Sequence, residues 1–528
     1  MAEEYEKVQP PLGVTVGVNT TPTTDLTPAG VAIFPYKQDA GRLIDYEYFA
    51  RLFLGNHFTA FNIRIDDASY NRAHARLRYV MVNFAGLISK ICADMLFSEP
   101  ITVKMPEGDQ EWVDALWREN NLDVQVYESA LSNSYNGDGV FKIRAGKRRP
   151  YDTDSTVIIE DITPSIYFPK VNGFNVREDP EVKELAWTFK KGDDTFLRKE
   201  IHTTGLITNQ VFKMEGDKIK EEEPLSILGM PDLMTSVPTG INECLIIHIP
   251  NWKTGNRFFG ISDYYDLDSI FYAINNRMSK NDNILDKHSD PILMVPTGIL
   301  DEKGQVQKSK LGVIELVQGE DKKPEYIVWD ASLENAFRQI EKLVEFLYLI
   351  GEVSPDLVGM GKGTSDSGRA LKFKLMRTLA KVARKKLYYD NAIKQVIYIA
   401  QIFAKAHGLK VDGLILKGEP EKPEIVWQDG LPVDELEQAD LETKKIDAGI
   451  QTKKAAIMGI DQIDEKAAEK KLKEIEKEKP KIEMPAPSFG KEPFGGGGGG
   501  NTPPLKNKES GVTGNAPKPM MGDKMPMK

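Results

Sequence analysis

Ser354-Pro355-Asp356-Leu357-Val358-Gly359-Met360-Gly361-Lys362-Gly363-Thr364-Ser365-Asp366-Ser367-Gly368 separates two kinds of helical sequence. The segment is too polar and too rich in glycine to be core, and a connection of this length in a compact chain is either functional or disordered. Two helices and a compact insert precede it. Ser262 or Asp263 can cap a helix running to about His288. Leu267, Ile270, Phe271, Ile274, Met278 and Leu285 recur in it at helical spacing, over ~39 Å at about 1.5 Å per residue. Asp263, Asp266 and Asp268 gather where a helix N-terminus favours negative charge. A second helix, Ser332 to Ile350, spans ~30 Å and carries Leu333, Phe337, Ile340, Val344 and Leu347 on one face. Between them the period changes. Pro291–Val295, Gly312–Val317 and Tyr326–Trp329 are predicted as short strands, with turns at Gly304 and at Gly319 to Lys323. So short an insert sets the two helices side by side, as a shaft with a foot, and the shaft's apolar stripe is expected to seek cover from neighbours. Beyond the loop, Arg369 to about His407 is one long helix with a basic first half.

Working outward, residues 1–40 are rich in Thr, Pro and Gly and are expected to form an arm. Asp67 to Phe97 is predicted helical, with Leu77, Val80, Met81, Phe84, Leu87, Ile88, Ile91 and Met95 on one broad face and Pro100 as a stop. Asp109–Asn120 and Asp123–Asn133 give two more helices. Strand signals dominate from Gly139 to about Phe212, separated by turn clusters at 136–139, 146–150 and 192–194. Asp429-Gly430-Leu431-Pro432 is a turn, and Asp434 to Glu478 is a highly charged helical stretch. From Lys479 the composition is Pro, Gly, Lys and Met, with six consecutive glycines at 495–500, and such a segment is expected to be disordered. The fold class is therefore α+β.

Composition narrows the function. The 528 residues suggest two to four domains, and 41% hydrophobic content supplies a core. Cys92 and Cys244 are the two cysteines, which argues against a disulfide framework. No signal peptide is expected from the first residues, and no run of about 18 apolar residues suggests a membrane span. A net charge of −10 argues against a general nucleic-acid binder, because tight duplex binding needs clustered Lys and Arg. It does not exclude a conduit, in which DNA must slide rather than be gripped.

Several motifs fail on inspection. Around Gly361-Lys362 a phosphate loop needs Gly at the position of Asp356 and Ser or Thr at that of Gly363. Gly363–Ser367 lacks the closing Gly of a nucleophile elbow, because Ser367 stands there. Asp152-Thr153-Asp154-Ser155 begins like a calcium loop but has Val157 for the Gly and Thr163 for the Glu. The six histidines are scattered, and two cysteines cannot form a structural zinc site. No catalytic residue, metal ligand or cofactor is assigned. The basic run is more informative. Lys372, Lys374, Arg377, Lys381, Arg384, Lys385 and Lys386 follow one another with no acid between them. Such a run is a surface for DNA, an interface with acidic helices of a neighbouring subunit, or a solvated face. Its self-repulsion calls for some opposing partner.

The order of elements from about Tyr70 to Glu478 resembles the portal proteins of tailed bacteriophages, the siphophage type in particular. Leu87–Pro100, ending in Ser98-Glu99-Pro100, is similar to the family's opening helix and its turn. Ser367–Lys372 resembles the small-residue entry to the family's long helix. Asp429–Pro432 and Gly449–Ala456 resemble the approach to its crown. The resemblance implies a portal fold: a wing (41–262, closed by 369–430), stem helices (263–288 and 332–353), a small β-containing clip (289–331), a tunnel loop (354–368) and a helical crown (431–478). It further implies a homo-oligomeric ring, typically of twelve, at one vertex of the virion capsid, assembled in the host cytoplasm. Double-stranded DNA would pass through it without sequence specificity. The terminase large subunit and then a head-completion adaptor would dock at the clip, with the major capsid protein and a scaffolding protein as further partners. The residues so implicated are Asp356, Val358, Met360, Lys362 and Thr364 toward the channel, Lys372, Lys374, Arg377, Lys381 and Arg384 toward DNA or a neighbour, and Glu315, Asp321 and Lys322 toward motor or adaptor. The competing reading is an enzyme of DNA packaging or processing, a terminase-like ATPase or nuclease. The missing phosphate loop and metal cluster count against it.

Overall fold

The computed structural model describes residues 32–64, 79–149, 151–231, 233–289, 292–294, 325–327, 333–361, 368–428, 435–461 and 465–478. The chain divides into two compact units, which part between Asp434 and Glu435.

In the first unit α1 (Ala40–Phe53) and α2 (His57–Arg64) lead to α3 (Phe84–Phe97), β1 (Thr102–Lys104), α4 (Gln110–Glu119) and α5 (Leu122–Asn136). Strands β2 (Asp138–Gly146), β3 (Thr156–Ile162), β4 (Tyr167–Pro169), β5 (Lys183–Lys191), β6 (Asp194–Thr203), β7 (Leu206–Glu215), β8 (Lys218–Glu223), β9 (Ser236–Pro238) and β10 (Ile246–Pro250) follow. The shaft is α6 (Asp268–Ser289), β11 (Ile292–Met294), β12 (Glu325–Ile327) and α7 (Leu333–Ile350). The long helix α8 (Gly368–His407), β13 (Lys410–Val411), β14 (Leu414–Ile415) and β15 (Glu424–Val426) complete the unit. The second unit holds α9 (Glu435–Asp447), α10 (Lys453–Asp461) and α11 (Glu465–Glu478).

The α+β expectation holds. Strands β4 to β8 run antiparallel in chain order, with β9 added on β7. The meander follows from tight turns: Lys191 pairs with Asp194 and Glu215 with Lys218, leaving Gly192-Asp193 and Gly216-Asp217 as two-residue connections. A three-stranded sheet, β10-β2-β3, lies nearer the helices, and β1 pairs with β15. Phe141, Ile143, Val157 and Ile159 carry that sheet's apolar face into the main core, where α3, α5 and α8 contribute Ile88, Cys92, Val126, Tyr389, Ile393 and Ile397. Helix α3 is apolar nearly all round, and that places it at the centre.

Several expectations change. Of the helix predicted over 67–97, residues 67–78 lie outside the described residues, and the part that follows begins at Phe84. Asn83 caps it, its side chain accepting from the Gly86 N–H, and residues 79–83 are not helical. They bond to the shaft instead. The Val80 N–H reaches Ser279 Oγ at 2.9 Å and the Val82 N–H reaches Asn275 Oδ1 at 3.0 Å. The described end of the predicted arm is packed: Phe34 is buried, Ile33 bridges Lys218, and Tyr36 donates to Glu184 Oε1 at 2.5 Å. The shaft helix starts at Asp268 rather than 263, because Tyr264 accepts from Leu267 and Asp268 in a preceding turn. The charged stretch after 434 is helical as expected and holds α9, α10 and α11. Gly449 stops α9 at φ +69°, a conformation costly for any residue with a Cβ. Lys454 and Glu469 then pair at 2.6 Å between α10 and α11. Of the predicted insert, β11 and β12 are present and pair antiparallel, Ile292 opposite Ile327. The central strand at 312–317, the turn at 429–432 and the tail from 479 lie outside the described residues. No described helix is long and apolar enough to cross a membrane.

Candidate functional site

The shaft, the loop and the long helix meet at one joint, and the basic run of α8 builds it. Lys381 and Lys385 stand one turn apart on the buried face of α8, and both reach Asp263, just before the shaft helix. Lys381 Nζ lies 3.2 Å from Asp263 Oδ1, and Lys385 Nζ lies 2.7 Å from Oδ2. The Ser134 hydroxyl donates to Oδ2 at 2.6 Å, and Asn251 Nδ2 donates to Oδ1 at 3.2 Å. Lys385 Nζ also donates to Asn251 Oδ1. Burial alone would push the Asp263 carboxyl up, but the two ammonium groups outweigh it and hold the carboxyl well below the usual range. Burial would likewise lower Lys381, and Asp263 more than restores it. Asp263 and Lys381 are therefore both charged at neutral pH.

The same ammonium group of Lys381 donates to the carbonyl of Gly351 at 2.9 Å, where α7 ends. One side chain thus ties the two shaft helices to α8. Next, Glu352, held at φ +56°, faces two arginines, with Arg377 at 3.6 Å and Arg384 in direct contact. The Ser354 N–H donates to Thr378 Oγ1 at 2.9 Å, and Lys374 lies 3.5 Å from Asp356. The chain leaving α7 is therefore laced along α8 from 351 to 356.

Over its described residues, 354–361, the predicted loop is less open than its composition suggests. Pro355–Val358 forms a 3-10 turn, and Leu357 and Val358 pack against the core. Val358 thus turns toward its own chain, whereas Met360 is 56% exposed, with its Sδ taking a 3.5 Å hydrogen bond from the Tyr348 hydroxyl. Gly361 sits against the Asp356 carboxylate: a Cβ there would lie 2.0 Å from Asp356 Oδ1, so a larger residue would have to turn that side chain aside. Lys362 and Thr364 lie outside the described residues, as do Glu315, Asp321 and Lys322.

The placement also corrects the basic face. Lys381 is 6% exposed and engaged inside its own chain, so it presents no surface to DNA or to a neighbour. The opposing partner that the run requires is largely intramolecular: Asp263, Glu352 and Asp356. Lys372, Lys374, Arg377 and Arg384 stay on the exposed side of the helix. Asp263 was expected to favour the helix N-terminus and instead anchors the joint. Asp268 keeps the local role, accepting from the Ser269 N–H at 2.7 Å. Glu352 and Gly351 carried no sequence signal of their own, although acids flanking an acid-free basic run were the place to look for counter-charges.

The chain matches the family model described as phage portal protein, SPP1 Gp6-like, over residues 208–482. No curated protein matches it. The match takes in the shaft, the loop, the basic helix and the helices beyond residue 434, just over half of the 528 residues. A two-helix shaft ending in paired strands, joined through a short loop to a long helix, is thus found where the family model lies, and the chain belongs to the SPP1 Gp6-like family of phage portal proteins.

Proposed function

We propose that copies of this portal protein close into a twelve-membered ring in which residues 263–288 and 332–353 are the stem, 289–331 the clip and 354–368 the tunnel loop. Residues 41–262 and 369–430 make the wing, and 431–478 the crown. The observation that carries this reading is the shaft itself: two helices packed side by side and continued into the β11–β12 pair. As a portal it belongs to the capsid vertex and forms a ring through which DNA passes. Assembly in the host cytoplasm, docking of the terminase large subunit and then a head-completion adaptor at Glu315, Asp321 and Lys322, and contacts with major capsid and scaffolding proteins are the finer parts of the proposal. The reading as a packaging or processing enzyme is not favoured by the family match.

Within the channel the proposal assigns Met360 and Lys362 to the DNA. A duplex carries one phosphate charge per ~1.7 Å, so one Lys per subunit gives weak, quickly exchanged contacts. An exposed thioether beside it can touch the backbone without holding it. Negative-stain images and native mass test the ring: a closed ring with a central hole is expected, and monomer across a broad range of concentration and salt would overturn the reading. Lys362→Glu should lower DNA packaging or retention while rings persist. Normal packaging in that variant and in Met360→Ser would remove the loop's contact role.

A further inference from the structure

Helix α8 carries a second surface that the joint does not use. Its buried face is Leu375, Thr378, Lys381, Val382, Lys385 and Tyr389. On the opposite side Phe373, Met376, Ala380, Ala383 and Leu387 are all exposed, and they recur at alternating steps of three and four. That is the spacing of a helix-packing seam. Phe373, Met376 and Leu387 are 66%, 63% and 73% exposed. A long helix that leaves its seam to water in a single copy is built for a partner.

We propose that this seam packs on the outer face of α7 of the next copy in the ring, around Phe346, Leu349 and Ile350. These three are also exposed, at 51%, 58% and 46%. Two observations select this occupant. The first is charge. From Gly368 to Tyr389 the chain has no acid, so two α8 seams would bring like charges together, whereas α7 carries exposed Glu341 beside its apolar face, and exposed Glu345, paired there with Lys342 at 2.5 Å. The second is level. Lys381 bonds Gly351 at the end of α7, so the seam and the α7 face lie at the same height, on either side of the joint. A head-to-tail contact between two different patches gives a ring when its rotation closes and a filament when it does not, and patches at one level are compatible with closure. The assignment rests on the portal reading, because it needs a ring in which to act.

A cysteine pair tests it in the full chain. Cys244 is partly accessible and is first replaced by Ser; Cys92 is buried. In that background Met376→Cys combined with Leu349→Cys should give, under mild oxidant, a ladder of covalent oligomers on denaturing gels, and each single variant should give none. Met376→Glu with Leu387→Glu should lower the ring fraction at least tenfold, while the thermal unfolding of the single chain stays unchanged. Rings by native mass with no ladder, or a ladder from Met376→Cys alone, would overturn the α8–α7 pairing and leave the portal reading standing. Absence of rings from the unsubstituted protein would overturn both.

Discussion

Replacing Asp263 by Asn should cost more than any other single substitution at the joint. The carboxylate is buried and receives four hydrogen bonds or ion-pair contacts, from Lys381, Lys385, Ser134 and Asn251. Asparagine keeps the volume and the contact with Asn251, but it leaves two ammonium groups buried without a counter-charge. Removing one partner of a buried pair costs about 3–5 kcal/mol. The pH dependence has a definite sign. The folded carboxyl lies below its unfolded value, so its contribution is present above the unfolded carboxylate range, about pH 4, and disappears only as pH falls through the lower folded value. The difference between wild type and Asp263→Asn should therefore be constant from pH 8 to pH 5 and narrow below about pH 4. Urea unfolding midpoints at each pH measure it. Adding Lys381→Met and Lys385→Met to Asp263→Asn should recover most of the loss, since a buried ion pair exchanged for apolar groups of similar volume is often neutral. A loss below about 1 kcal/mol, or no recovery in the triple variant, would refute the account of the joint as a charge-balanced core.

Burial pushes the Asp161 carboxyl up to about 7, opposed by the Ser129 hydroxyl and aided by Glu128. Its raised value means that stability is lost as pH rises toward 7, so Asp161→Asn should raise the unfolding midpoint at pH 8 and little at pH 4, by on the order of 4 kcal/mol at most at 1.36 kcal/mol per pH unit. Glu352→Gln should cost under about 1 kcal/mol, because its arginine partners are largely exposed, yet hydrogen exchange at residues 351–356 should quicken. Truncation after Lys479 should leave ring formation intact by native mass, since the composition beyond it offers no core.

The parts legible in the sequence were those set by periodicity over many residues. The shaft helices, the long helix and the paired ends of the insert needed only their apolar spacing, and α7 and α8 fall within a residue or so of expectation. Local capping chemistry decided what periodicity could not. Asn83 stops α3 by accepting from Gly86, although Val80 and Met81 continue the apolar pattern, because the backbone on either side of Met81 is bonded to the shaft instead, Val80 to Ser279 and Val82 to Asn275. The joint was legible only in half. A run of basic residues without acids announces that a counter-charge exists, but its position, about 120 residues upstream at Asp263, is a property of the packed chain. Val358 shows what composition leaves open: an apolar residue in a polar loop is half-buried and packs partly against its own core.

Asn275 and Ser279 stand one turn apart on α6 and are hydrogen-bonded to the backbone of the strand-like segment at Val80 and Val82. Asn275 is held again from behind, its amide donating to His57 Nδ1 at 2.7 Å while His57 Nε2 donates to the Leu52 carbonyl at 2.9 Å. A helix turns by about 100° per residue, so a roll of the shaft by one position would break both backbone bonds together. The root of the shaft is keyed like a spline in its socket. It can bend beyond Ser279 but cannot spin there, so a torque applied at the far end would reach the body of the first unit as a turn of the whole rather than be lost as rotation of one helix.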